Sequence, residues 1–193
     1  MRFLSKRADS PILLAALVYL ENRHANNTKL RSELAKEQKN FCAYTEKYIT
    51  EIDSTAVDHL NSGIKYHDNY YNYYTALVWA NNTKQDEKYR GATFFDNLFF
   101  QDYDELKNRI KYDDGKYKAV NENDDEAEGF IDFLGFNHND LYIYRQRHIK
   151  RLRNALAGLS NDEIIEYLRG DIEQLSFITA IEFEFGLDLS SLL

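Results

Sequence analysis

The sequence predicts an α+β fold, mostly helical, with a small β-containing centre and a short β-hairpin, and three observations carry that expectation. Apolar residues recur at helical spacing between matching start and stop residues near both ends of the chain. Asp113-Asp114-Gly115 separates two short alternating segments, and the middle of the chain shifts to aromatic and β-branched residues among turn formers. Ser10 as N-cap and Pro11 at the first helical position open a helix over 11–23, and 27–38 forms a second with Leu30 and Leu34 on one face. Residues 41–60 read as a loop followed by a short strand that ends at Thr55-Ala56-Val57-Asp58-His59-Leu60. Asn61-Ser62-Gly63 starts a polar loop, 70–78 is a second strand or turn, and 79–90 is a helix. The hairpin pairs 109–112 with 116–120. Helices follow over 124–134, closed by Gly135, and over 140–156; a third opens on the capping box Ser160-Asn161-Asp162-Glu163 and stops at Gly170, and a last one covers 171–184. These elements divide one compact unit into an N-terminal helical layer (1–40), a central core (41–95) and a C-terminal hairpin and helical region (96–193).

Composition limits the function classes. Of 193 residues 44% are hydrophobic and 29% charged, which suits a packed core with a wet surface and argues against disordered, collagen-like and membrane proteins. Lys+Arg 24 against Asp+Glu 32 gives a net charge of −8, so binding to nucleic acid requires a local basic patch or a bound cation. The single cysteine, Cys42, forms no intramolecular disulfide and fits a reducing, cytoplasmic setting. The apolar stretch 12–20, behind Arg2, Lys6 and Arg7, faintly imitates a secretory signal, but it is too short to span a bilayer and Glu21-Asn22-Arg23-His24 follows it. It reads as a buried helix.

Val57-Asp58-His59-Leu60, then Asn72, then Ala80-Asn81-Asn82-Thr83-Lys84 form the constellation with chemical content. Phosphodiester hydrolysis needs an activated water and charge neutralisation at the phosphoryl oxygens, which an imidazole and a divalent cation together supply. His59 is the histidine with such neighbours; Asp58 and Asn81 are hard oxygen ligands for Mg²⁺ or Mn²⁺, and Lys84 shares a helix face with Asn81 where an ammonium meets phosphate. Asn82 is the alternative ligand, and either asparagine could instead cap the helix.

In that order of residues the chain resembles the HNH, or ββα-metal, endonucleases. The resemblance implies His59 as general base, Asp58 and Asn81 as ligands of one metal, Asn72 as the buttress of the loop that orients His59, and Lys84 as a phosphate contact, with products ending in 5′-phosphate and 3′-hydroxyl. It extends to a subgroup from bacterial anti-phage systems, the nuclease subunit of Septu-type systems and related retrons. Leu30-Arg31 through Gln38 to Phe41-Cys42-Ala43-Tyr44-Thr45-Glu46 resembles that subgroup, as do Glu126-Ala127, Leu134-Gly135-Phe136-Asn137, Leu141 and Arg145. In that setting the nuclease works with an ATPase subunit on nucleic acid, DNA favoured over RNA, and without a membrane partner.

One departure stands out. Where relatives carry a zinc knuckle of four cysteines, Cys42 is joined by Thr45, Leu77 and Ala80, so no structural zinc is expected, and packing around Leu77, Val78, Trp79 and Ala80 is the substitute. The loss also supports an alternative: a catalytically degenerate HNH-fold subunit kept for binding or assembly. A plain helical protein with a chance match is the third reading. Arg145, Arg147, His148, Lys150, Arg151 and Arg153 form the dense basic cluster, read either as a nucleic-acid or acidic-partner surface, with Arg145, Arg147, Lys150, Arg151 and Arg153 the contacts, or as a solvated helix face. The run Tyr66, Tyr70, Tyr71, Tyr73 and Tyr74 reads as packing rather than base stacking. His67-Asp68 reads as a solvated turn, and Asn123-Asp124-Asp125-Glu126 as helix-start acidity.

Overall fold

A computed structural model describes residues 1–193 and shows an α+β architecture of nine α-helices and two small antiparallel sheets. No helix is long and apolar enough to cross a membrane.

Helix α1 (Pro11–Leu14) is much shorter than the 11–23 expected. The Ser10 hydroxyl caps it, but Ala16 takes a left-handed φ of 48° and the Leu17 and Ala16 N–H groups bond back to Ile12 O and Leu13 O, which closes the helix in a Schellman arrangement. The stretch 12–20 is therefore not a buried helix: Ile12 is buried, while Leu14 is 82% exposed. Helix α2 (His24–Glu37) starts three residues before the expected position and lays Leu30 and Leu34 against Ile12, Tyr70 and Tyr73.

Strands β1 (Thr55–His59) and β2 (Tyr73–Leu77) pair antiparallel, with Asp58 opposite Tyr74 and His59 opposite Tyr73. Helix α3 (Val78–Thr83) follows β2 directly. The expected helix over 79–90 ends at Thr83 because Lys84 turns to an extended backbone, and Gln85 N–H donates to Phe133 O instead of continuing the helix. Two short helices, α4 (Phe94–Asn97) and α5 (Tyr103–Arg109), fill a stretch with no expected element.

The hairpin β3 (Ile110–Asp113) and β4 (Lys116–Ala119) forms as its turn residues dictate. Asp114 and Gly115 both have positive φ, the requirement of a type I′ turn. Glycine is needed at 115 for a second reason: an added Cβ would lie 2.7 Å from Gln146 Nε2. Helices α6 (Asp125–Phe133), α7 (Asn139–Ala155) and α8 (Asn161–Gly170) match the expected segments, with Asp124 capping the first and the Ser160–Glu163 box the last. Asn137 clamps β4 through the backbone of Tyr117, accepting its N–H at 2.9 Å and donating to its carbonyl at 2.8 Å. The expected helix over 171–184 divides into a 3-10 turn (Ile172–Leu175) and α9 (Ile178–Phe185). Phe177 breaks it by adopting a left-handed φ of 65°, a strain held in place by full burial and by its N–H bond to Glu46 O at 2.8 Å.

One apolar core runs from Phe3 and Phe41 through Phe94 and Phe130 to Ile178. Phe130 is its centre, stacked on Phe100 at 4.6 Å and meeting Phe94, Phe99 and Phe136 edge-on. Against this core Lys6 is the costly residue: burial pushes its ammonium down to about 7 even though Glu37 pulls it back.

Phe130→Ala is expected to cost about 3–5 kcal/mol in urea denaturation, the range for emptying an aromatic core site. Because Lys6 holds its proton less tightly when folded than when unfolded, its contribution to stability rises with pH from about 7 upward. Denaturation at pH 7 and pH 9 should show wild type gaining stability relative to Lys6→Met over that interval.

Candidate functional site

Asp58 and His59 sit at the end of β1, where strand alternation sends their side chains to opposite faces. His59 faces a surface pocket of about 340 Å³ lined by Tyr19, Leu20, Glu21, Lys65 and Tyr66. Its ring stands edge-on to Tyr19, with centroids 4.7 Å apart, and to Tyr73 at 5.4 Å. Nδ1 lies 2.6 Å from Asp68 Oδ2. That carboxylate, whose side chain is only 2% exposed, also accepts from Asn72 Nδ2 at 2.7 Å and Tyr73 OH at 2.9 Å. Burial raises the Tyr73 phenol to about 12, so it remains a donor. With donors on every side Asp68 serves as acceptor, which places the His59 proton on Nδ1 and leaves Nε2 free of any protein partner.

Asn72 is buried at the start of β2 and makes a reciprocal pair with the backbone of Asn61: Asn61 N–H donates to its Oδ1 at 2.8 Å and its Nδ2 donates to Asn61 O at 3.0 Å. It thus pins both ends of the polar loop between the strands. Asp68, which the sequence reading assigned to a solvated turn, is the residue it did not bring to His59. Nothing in the pair His67-Asp68 marks it; only folding the loop back on β1 brings it to His59.

On the other face of β1, Asp58 is buried and its Oδ2 accepts from Lys84 Nζ at 2.7 Å and from the Tyr44 hydroxyl. Burial, then Asp58, holds the Tyr44 phenol well above its usual range. Lys84 Nζ also donates to His59 O at 2.8 Å and Leu60 O at 3.3 Å, and Asp86 Oδ1 stands 3.5 Å away. Burial raises the Asp86 carboxyl, with Lys84 pulling it back. The expectation that Lys84 meets phosphate is corrected here: its side chain is 1% exposed and its donors are taken, so it is neither a nucleic-acid contact nor a group that touches a reacting phosphate.

Asn81 and Asn82 lie in the last turn of α3, half-buried and exposed respectively, and neither caps the helix start. The resemblance implies a divalent metal on Asp58 and Asn81, but the Asp58 carboxylate is already occupied by the Lys84 ammonium and does not fit a metal as it stands. A divalent cation on that carboxylate meets like charge, a repulsion of about 8 kcal/mol at 4 Å for a +2 ion beside a +1 ammonium in a protein-like dielectric. Buried Cys42 accepts the Leu77 N–H at 3.4 Å, and Ala80 joins the core. Trp79 is not part of that packing, being 39% exposed.

The basic cluster on α7 divides. Arg145 is buried, donating to Phe136 O and Gly115 O, which removes it from any nucleic-acid surface and makes it a brace for the β3–β4 turn. Arg147, Lys150 and Arg151 are exposed, while Arg153 is exposed but paired with Glu184. His148 donates from Nε2 to Gln174 O at 3.0 Å from a half-buried site, and burial lowers its affinity for a proton. Of the tyrosine run, Tyr70, Tyr73 and Tyr74 are packed, and Tyr66 borders the His59 pocket.

Lys84→Met leaves the Asp58 carboxylate buried without its partner and is expected to cost about 3–5 kcal/mol, whereas the double variant Asp58→Asn/Lys84→Met should cost less than the single one. A double-mutant cycle in urea measures both.

No protein-family model matches the chain, and neither a curated protein nor a solved structure matches it.

Proposed function

We propose that this chain is a nuclease of the HNH type that cleaves phosphodiester bonds with His59 as general base. The observation that carries the reading is the buried Asp68 carboxylate at 2.6 Å from His59 Nδ1, which fixes the ring at the edge of its pocket and leaves Nε2 without a protein partner. In this reading Nε2 takes the proton of the attacking water as its oxygen bonds to phosphorus, the P–O3′ bond breaks and the departing oxygen takes a proton from solvent, Asp68 stabilises the imidazolium, and Lys65 in the same pocket supplies positive charge for the phosphoryl oxygens. Tyr19 and Tyr66 give that pocket aromatic walls suited to a nucleobase. The strand–loop–strand–helix order of β1, β2 and α3 around Asp58, His59, Asn72 and Asn81 supports the family reading. The exposed Arg147, Lys150 and Arg151 offer a surface to a phosphate backbone or to an acidic face of an ATPase partner, the setting that the anti-phage subgroup implies.

The alternative, a degenerate HNH-fold binding subunit, is favoured by one observation: the ion pair with Lys84 neutralises the carboxylate that the family uses for metal.

Incubating purified protein with supercoiled plasmid and with tRNA distinguishes the two. His59→Ala is expected to lower cleavage about 10²–10⁴-fold, the range for removing a general base. Asp68→Asn should lower it less and shift its pH profile, since the amide supports the wrong ring tautomer. Cleavage that persists unchanged in His59→Ala would sink the catalytic assignment, and no cleavage with a neighbouring ATPase present would favour the binding subunit.

A further inference from the structure

The surroundings of the Lys84 ammonium are oxygens supplied by two carboxylates and two carbonyls: Asp58 Oδ2 at 2.7 Å, His59 O at 2.8 Å, Leu60 O at 3.3 Å and Asp86 Oδ1 at 3.5 Å. Carboxylate and carbonyl oxygens converging on one point are the donor set that hard divalent cations select. Lys84 reaches that point because α3 stops at Thr83 and the chain turns to an extended conformation at 84, aiming a side chain from the α3 end across to the end of β1. The ammonium is covalently tethered there, almost wholly buried, and needs no water to complete its hydrogen bonds.

We propose that Lys84 is the resident cation of this site: its ammonium occupies an oxygen cage in place of a divalent metal, and the chemistry at His59 runs without one. Only the second clause rests on the nuclease reading. The ammonium does two things there that a metal would otherwise do. It neutralises Asp58 behind β1, and through His59 O and Leu60 O it fixes the backbone that carries the imidazole. A positively charged residue is thus retained at the strand end while the phosphate-facing charge comes from the other side, at Lys65.

The test follows Mn²⁺ binding to the intact chain by electron paramagnetic resonance, together with thermal melts with and without Mn²⁺. Wild type is expected to bind no Mn²⁺ at Asp58 and to melt at an unchanged temperature. Lys84→Met, with the cage emptied, should gain a Mn²⁺ site and be stabilised by the metal. A wild-type Mn²⁺ site that disappears in Asp58→Asn overturns the proposal, as does a folded Lys84→Met that binds no metal. If Lys84→Met does not fold, the wild-type measurement decides alone. In the cleavage assay, EDTA should leave His59-dependent turnover unchanged; turnover lost in EDTA and restored by Mn²⁺ overturns the proposal and leaves the nuclease reading standing. Absence of any His59-dependent cleavage removes the nuclease reading, and Mn²⁺ binding then still decides the role of Lys84.

Discussion

A buried ammonium holds the centre of this molecule together. Lys84 reaches from the end of α3 to the carboxylate of Asp58 and to the carbonyls of His59 and Leu60, so one side chain ties the helix to the terminus of β1. Charge burial of this kind is costly unless every partner is in place, which makes the arrangement close to all-or-none. α3 ends where Lys84 turns toward that group, and the bonds to His59 O and Leu60 O hold the strand end that carries the imidazole. On the opposite face Asp68 does the corresponding work for His59, with Asn72 and Tyr73 holding the carboxylate in turn.

The parts of the fold that could be read from the sequence are those whose determinants are local. Two residues with positive φ make the turn at Asp114-Gly115, the Ser160–Glu163 box starts α8, and the spacing of Leu141, Ile149 and Leu152 sets the buried face of α7. Helix ends set by distant partners were not legible. α1 closes on Ala16, a residue with no intrinsic preference for the left-handed region; α3 stops where Lys84 is drawn to Asp58; and the segment after Gly170 breaks at Phe177 because Glu46 O accepts its N–H.

The candidate site divides along the same line. Asp58, His59 and Asn72 stand out by order and spacing, and their placement at the strand ends followed from that order. What each side chain touches did not. Lys84 has the spacing of a phosphate contact yet points inward, Arg145 belongs to a basic run yet braces a turn, and Asp68 has the composition of a surface loop yet lies buried against the imidazole. Charge in a sequence does not distinguish a solvated group from a buried one whose partners come from elsewhere in the chain.

The left-handed Phe177 also sets an order of events during synthesis. Its N–H, the Ser176 hydroxyl and Thr179 all bond to the segment 46–48, just after Tyr44, the residue that flanks Asp58. Glu46 is wholly buried, and until Thr179 has been made its carboxylate lacks partners that the folded chain provides. A nascent chain carrying β1, β2 and α3 thus holds every residue of the His59 site well before it holds the support beneath them. The support beneath that site is complete only once the segment around Phe177 and Thr179 has been made, so local order in the centre of the chain and its long-range bracing arise at different lengths of the growing polypeptide.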